Sequence, residues 1–104
     1  MRRYDLDPGA RQDVLDLFDY ARSYDEAAEA RYADALVECF ERLAEFPHFG
    51  SERPELAPGL RSVPVRRLRL MVFYFPLSGG QDRVRVVRVL RQERDVSEAD
   101  FEQD

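Results

Sequence analysis

The sequence predicts an α+β fold in which an N-terminal helical hairpin packs on one face of a small, mostly antiparallel β-sheet, in the order β-α-α-β-β-β. Three observations carry this expectation. Apolar residues recur at helical spacing from residue 8 to residue 46. Two long apolar and β-branched runs, Leu68 to Phe75 and Val84 to Leu90, flank Ser78-Gly79-Gly80-Gln81-Asp82, and a glycine pair between strand-like runs marks a hairpin because glycine tolerates positive φ. A chain of 104 residues is long enough for one core and too short for two, so residues 1–104 are expected to form a single domain.

Residues 1–6, ending in Tyr4-Asp5-Leu6, read as a first strand. Asp7-Pro8 then opens a helix, with Asp at the N-cap and Pro at the first helical position, where its missing N–H is one of the unpaired donors anyway. Ala10, Val14, Leu17, Phe18 and Ala21 form one apolar stripe, so the helix runs from Pro8 to about Arg22, with Asp13, Asp16 and Asp19 turned outward or sideways. Ser23-Tyr24-Asp25 is a turn, and Asp25 is placed to cap a second helix with the stripe Ala28, Tyr32, Ala35, Leu36, Cys39, Phe40 and Leu43. Pro47 stops it. So short a link makes residues 8–46 an antiparallel helical hairpin. The segment Pro47 to Pro58 reads as a connection.

Residues 60–91 hold the antiparallel strands. Leu60 to Val65 is expected at a sheet edge or ending at Val63, since Pro64 cannot donate to a ladder. Along the next strand Leu68, Leu70, Val72 and Tyr74 share the face expected to meet the core. Arg67, Arg69, Met71, Phe73 and Phe75 share the other, which begins cationic and ends aromatic and is expected to meet a partner. In the last strand Val84 and Val86 keep one phase and Val87 and Val89 the other, which predicts a β-bulge near Val86-Val87 with Arg83, Arg85, Arg88 and Arg91 outward, or else a partly apolar far face. Residues 96–104 form an acidic tail in which Ser97 caps a last helical turn through Phe101 and the end frays. One helical hairpin on one sheet face leaves the opposite face open.

Composition bounds function. The net charge is -5, yet residues 1–50 carry 6 Arg against 12 acids, residues 51–95 carry 10 Arg against 5, and the rest holds 4 acids alone. The sheet is basic and its cover acidic. All 16 cations are Arg, a composition a GC-rich genome accounts for, although Arg also suits planar carboxylate or phosphate recognition. No stretch has the length of a membrane span and no apolar leader follows Met1-Arg2-Arg3, so the expected location is cytoplasmic. A single cysteine, Cys39, excludes an internal disulfide and a cysteine-based metal site, and its place on a buried stripe makes it a packing residue. No cofactor and no metal is expected.

Catalytic constellations are thin. The one histidine, His48, lies in FPHFG beside a helix-stopping proline, and no nucleophile elbow, paired metal-ligand spacing or phosphate-binding glycine loop occurs. The arginine cluster is the strong feature. It fits a phosphate or acidic-partner surface, and equally a strand face kept soluble and blunted against edge pairing.

The chain resembles the RelE/ParE superfamily of bacterial type II toxins. The resemblance rests on YDLDPGARQDVLDLFDYA, EARYADALVECFERLAEFPHFG, GLRSVPVRRLRLMVFYF and VRVVRVLRQERD in that order, covering nearly the whole chain. It implies the same helical hairpin on a sheet, and one of two activities. RelE-like members cut mRNA on the ribosome, with a basic residue three positions before a strand tyrosine and a Tyr or His near the C-terminus. ParE-like members bind and poison DNA gyrase. Tyr74 matches the strand tyrosine, and Met71 stands where the basic residue would be; a thioether cannot steady a phosphorane. No Tyr follows Tyr74 and no His follows His48, while RVLRQERD resembles the arginine-rich terminal strand of ParE toxins.

By this resemblance the chain is closest to ParE, acts by protein binding rather than catalysis, and is neutralised by a cognate ParD-like antitoxin in a hetero-oligomer. Arg91, Arg94 and Asp95, past the end of the last strand, are the candidate gyrase contacts. Arg61, Arg69, Met71, Phe73, Phe75 and Arg88 are the candidate antitoxin surface. DNA is reached only through antitoxin or gyrase. The alternatives are a RelE-like endoribonuclease and a non-toxic relative that only binds antitoxin, the latter suggested by the acidic balance.

Overall fold

The computed structural model describes residues 3–102. Strand β1 (Tyr4–Leu6) leads into helix α1 (Pro8–Arg22) and helix α2 (Glu26–Glu45). Strands β2 (Ser51–Glu52), β3 (Arg61–Val65), β4 (Leu70–Pro76) and β5 (Val84–Arg91) follow, and a short 3-10 helix, Glu98–Phe101, closes the described chain. Residues 1–2 of the expected first strand and 103–104 of the acidic tail lie outside the described residues.

The helix boundaries follow local chemistry. Pro8 occupies the first turn of α1, but the Asp7 side chain makes no capping hydrogen bond. It lies 3.4 Å from Arg85 Nε instead, an ion pair across to the sheet. Asp25 does cap α2, its Oδ1 accepting the Ala28 N–H at 2.7 Å. The two apolar stripes face the sheet, where Ala10, Leu17, Leu36, Phe40 and Leu43 pack on Leu70, Val72, Tyr74, Val84, Val86 and Val89.

The five strands take the order β1-β5-β4-β3-β2. Strand β1 pairs parallel to β5, the helical hairpin carries the chain from β1 at one sheet edge across to β2 at the other, and the remaining pairs are antiparallel. Register between β4 and β5 slips once. Phe73 faces Arg88 while Tyr74 faces Val86, so Val87 is the extra residue and the predicted bulge sits there. Strand β3 runs through Pro64, and its ladder to β2 ends at Ser62, so Pro64 lies where the outer edge is unpaired and its missing N–H leaves no ladder bond broken.

Four expectations need correction. The long strand expected from Leu68 begins at Leu70, because Arg66–Leu68 form a 3-10 turn that Arg69 closes in the left-handed region at φ 56. That break removes Arg67 and Arg69 from the β4 face. The connection before β3 contains β2, too short to carry a pattern. Arg91 is the last residue of β5 rather than lying beyond it, and because Val87 is extra it pairs with Leu70 on the helix side, away from the outward set. The far sheet face is covered: Leu56, Leu60, Val96 and Phe101 lie over Phe73, Val87 and Leu90 as a second apolar cluster.

Candidate functional site

The second sheet face is built from alternation. Met71, Phe73 and Phe75 point away from the helices because Leu70, Val72 and Tyr74 point toward them. The chain after β5 then turns back over this face. Ser97 N–H donates to Asp100 Oδ2 at 3.0 Å, starting the last 3-10 helix, and Phe101 tilts onto Phe73 with ring centroids 4.9 Å apart. Phe73 is left 2 % exposed. The last helical turn, expected through Phe101, is thus docked on the sheet.

Charge holds the same strap in place. Asp100 Oδ1 lies 2.6 Å from Arg94 Nη2 and 3.7 Å from Arg88 Nη1. Arg88 in turn grips Asp13 of α1 with two bonds, Nε to Oδ2 at 2.8 Å and Nη2 to Oδ1 at 3.0 Å, and Asp13 Oδ2 also accepts the Val89 N–H at 2.9 Å. The bond to Asp13 holds the Arg88 guanidinium above its ordinary pKa despite partial burial. Asp13, expected outward or sideways, keeps only 12 % of its side chain in solvent. Helical spacing shows which way a carboxylate points and not what reaches it from another element.

Tyr74 is fully buried, and both functions of its hydroxyl are used. It donates to the Pro47 carbonyl at 2.8 Å and accepts the Gly50 N–H at 2.9 Å, tying the β4 core to the loop after α2. Burial raises its pKa. Arg61 reaches the same loop, donating to the Gly50 and His48 carbonyls at 2.7 and 3.1 Å. His48 itself is exposed. Among the described residues no group of three or more His, Cys, Asp or Glu is placed to hold a metal ion, and no helix is long and apolar enough to cross a membrane.

The sequence-selected residues therefore divide among five places. Met71, Phe73 and Phe75 share the strapped face. Arg88 and Arg94 meet at Asp100, whereas Asp95 is exposed on the loop between β5 and the strap. Arg61 belongs to the loop around Gly50. Arg69 and Arg91 come together elsewhere, in a cleft of about 390 Å³ between the ends of α1 and β5 and the turn before β4. There the Arg91 guanidinium stacks 3.9 Å above the Tyr20 ring, and the Tyr20 and Tyr24 hydroxyls share a 2.8 Å hydrogen bond. Sequence reasoning missed Tyr20 and Asp13, whose partners are 71 and 75 positions away and leave no local signal. It also missed Phe46 and Phe49, which are largely exposed beside the Pro47 turn. Their apolar character in a loop was the available signal.

Comparison with known proteins gives three findings. A family model described as "ParE toxin of type II toxin-antitoxin system, parDE" matches residues 4–96. No curated protein sequence matches the chain. Among solved structures, a chain of the chromosomal ParDE toxin-antitoxin system from P. aeruginosa is similar, with a TM-score of 0.69 at 21% identity over 89% of this chain and 98% of that one.

Proposed function

Because this chain belongs to the ParE toxin family of type II toxin-antitoxin systems, we propose that it poisons DNA gyrase by binding and that a cognate ParD-like antitoxin neutralises it. The observation that carries a binding rather than a catalytic reading is the state of Tyr74. A general acid or base needs a hydroxyl aimed at substrate, and this one is buried with its proton given to Pro47 and its lone pair to Gly50. Met71, three residues earlier, offers no charge to a phosphorane. A ribonuclease would lack both its strand base and its phosphate cation.

In this reading Arg91, Arg94 and Asp95 contact gyrase. Arg91 closes the last ladder, half-buried against Tyr20, and Arg94 and Asp95 follow it in sequence, both exposed. The antitoxin covers the strapped face and its basic surroundings, with Met71, Phe75 and Arg88 the accessible members and Arg61 and Arg69 flanking. Phe73 meets it only where the strap moves aside. An acidic and apolar segment that orders on binding suits such a surface.

The test is a supercoiling assay with gyrase from the source organism, titrating the purified chain with and without antitoxin. Inhibition relieved by antitoxin is the expected result. The variant Arg91→Ala/Arg94→Ala is expected to lose inhibition while keeping antitoxin affinity; full inhibition by that variant would remove both residues from the contact, and no inhibition by the parent chain would remove gyrase as the target.

A further inference from the structure

The geometry points to a phosphate-binding site in the cleft between α1 and the start of β4, separate from the strapped face. Its walls bring together Arg31, Arg67, Arg69 and Arg91 with Tyr20 and Tyr32, and Glu93 is the one carboxylate among the lining residues. In a chain of net charge -5, four guanidinia around one cleft of about 390 Å³ form a local concentration of the opposite sign.

Two of the four are without a carboxylate partner among the described residues. Arg31 and Arg67 pair with Asp25 and Glu38 at 3.6 and 3.2 Å, both at the exposed rim. Arg69 and Arg91 have no carboxylate within ion-pair distance among the described residues. Arg91 is nonetheless held in position, stacked at 3.9 Å on Tyr20, and an oriented guanidinium loses little further entropy when it closes on an oxyanion.

Arg69 supplies an independent observation. It is the single non-glycine residue with positive φ among those described, at φ 56, in a turn pinned by Arg69 N–H to the Arg66 carbonyl and by Gln92 N–H to the Arg69 carbonyl. A long β-carbon-bearing side chain in that conformation is strained, and glycine would relieve it. An arginine at a position where glycine would be relaxed fits a role for its guanidinium in the cleft it lines.

Phosphate is the chemistry that fits. A tetrahedral oxyanion accepts from several guanidinium forks at once, while a single carboxylate is saturated by one. The source is either a free phosphate ester or the backbone of a nucleic acid strand. The proposal does not depend on gyrase, and neither gyrase nor antitoxin enters its test.

Calorimetric titration of the free 104-residue chain with inorganic phosphate, a 5′-mononucleotide and a short single-stranded DNA distinguishes these sources. Saturable phosphate binding that weakens with salt is expected. Arg69→Gly should weaken it about tenfold or more while the chain stays folded and at least as thermally stable, and Glu93→Gln should tighten it. A mononucleotide binding as well as the oligonucleotide assigns a free ester; much tighter oligonucleotide binding, still lost in Arg69→Gly, assigns a strand. Absence of saturable binding, indifference to Arg69→Gly, or equal binding of an unphosphorylated glutamate-rich peptide would overturn the site.

Discussion

Gly50 and Tyr74 show how one residue can be fixed by another far away in sequence. A β-carbon on Gly50 would come within 2.7 Å of the Tyr74 hydroxyl and 2.8 Å of the Ser62 carbonyl. Gly50→Ala should therefore destabilise the fold by about 2–3 kcal/mol in urea titration. Tyr74→Phe should cost about 1–3 kcal/mol, because it orphans the Gly50 N–H and the Pro47 carbonyl. The double variant should show no rescue, since the Ser62 backbone clash remains; recovery to the level of Tyr74→Phe would contradict this account. Cys39 makes a pH prediction. Burial pushes its thiol up from 9.0 to about 11. Below pH 9 the thiol is neutral in both states and stability is full. As pH rises the unfolded chain ionises first, so stability falls between about 9 and 11. The stability margin of wild type over Cys39→Ala should narrow across that window, measured by urea unfolding at stepped pH, and a constant margin would show Cys39 to be solvated. The same depletion of thiolate predicts slow reaction with a thiol reagent at pH 8.

The strap after β5 is the element whose role depends most on its packing. Its sequence is acidic and short, yet Val96 and Phe101 lie on the second apolar cluster and Asp100 pairs with both Arg88 and Arg94. A chain ending at Val96 should expose Phe73, Val87 and Leu90, bind a hydrophobic dye and melt at lower temperature, and Phe101→Ala should cost about 1–3 kcal/mol. A truncated chain with unchanged melting and no dye binding would show that the strap contributes nothing to that face. Bulge and strap act together: with no extra residue at Val87, Arg91 would fall on the strapped face and Arg88 on the helix face, and the Tyr20 stack could not form.

The molecule as a whole separates its charge. An acidic helical layer covers a basic sheet, and ion pairs such as Arg88 with Asp13, Arg85 with Asp7 and Arg67 with Glu38 join the two layers. The basic residues left over gather around the strap and in the cleft at the end of α1, so an acidic protein still presents cationic surfaces to partners. On the ParD reading, mass action predicts that antitoxin raises the melting temperature in a concentration-dependent way, read by thermal scanning at several ratios. Equal melting with and without antitoxin would argue against a stable complex.

The elements themselves were legible in the sequence because each depends on local periodicity. Helix α1 was expected to end near Arg22 and does, Asp25 caps α2 as predicted, Gly79 and Gly80 adopt the positive φ the hairpin needed, and the phase break at Val86-Val87 is the bulge. Those signals lie within a few residues of the structure they specify. The fate of the candidate site residues was not legible, because it depends on contacts between distant parts of the chain. Phe73 reads as an exposed aromatic until Phe101 folds over it, Asp13 as a solvated carboxylate until Arg88 reaches it, and Arg91 as one more outward arginine until an inserted residue turns it onto Tyr20. A period-two or period-3.6 pattern determines which side chains share a face; only the tertiary fold decides what, if anything, covers that face.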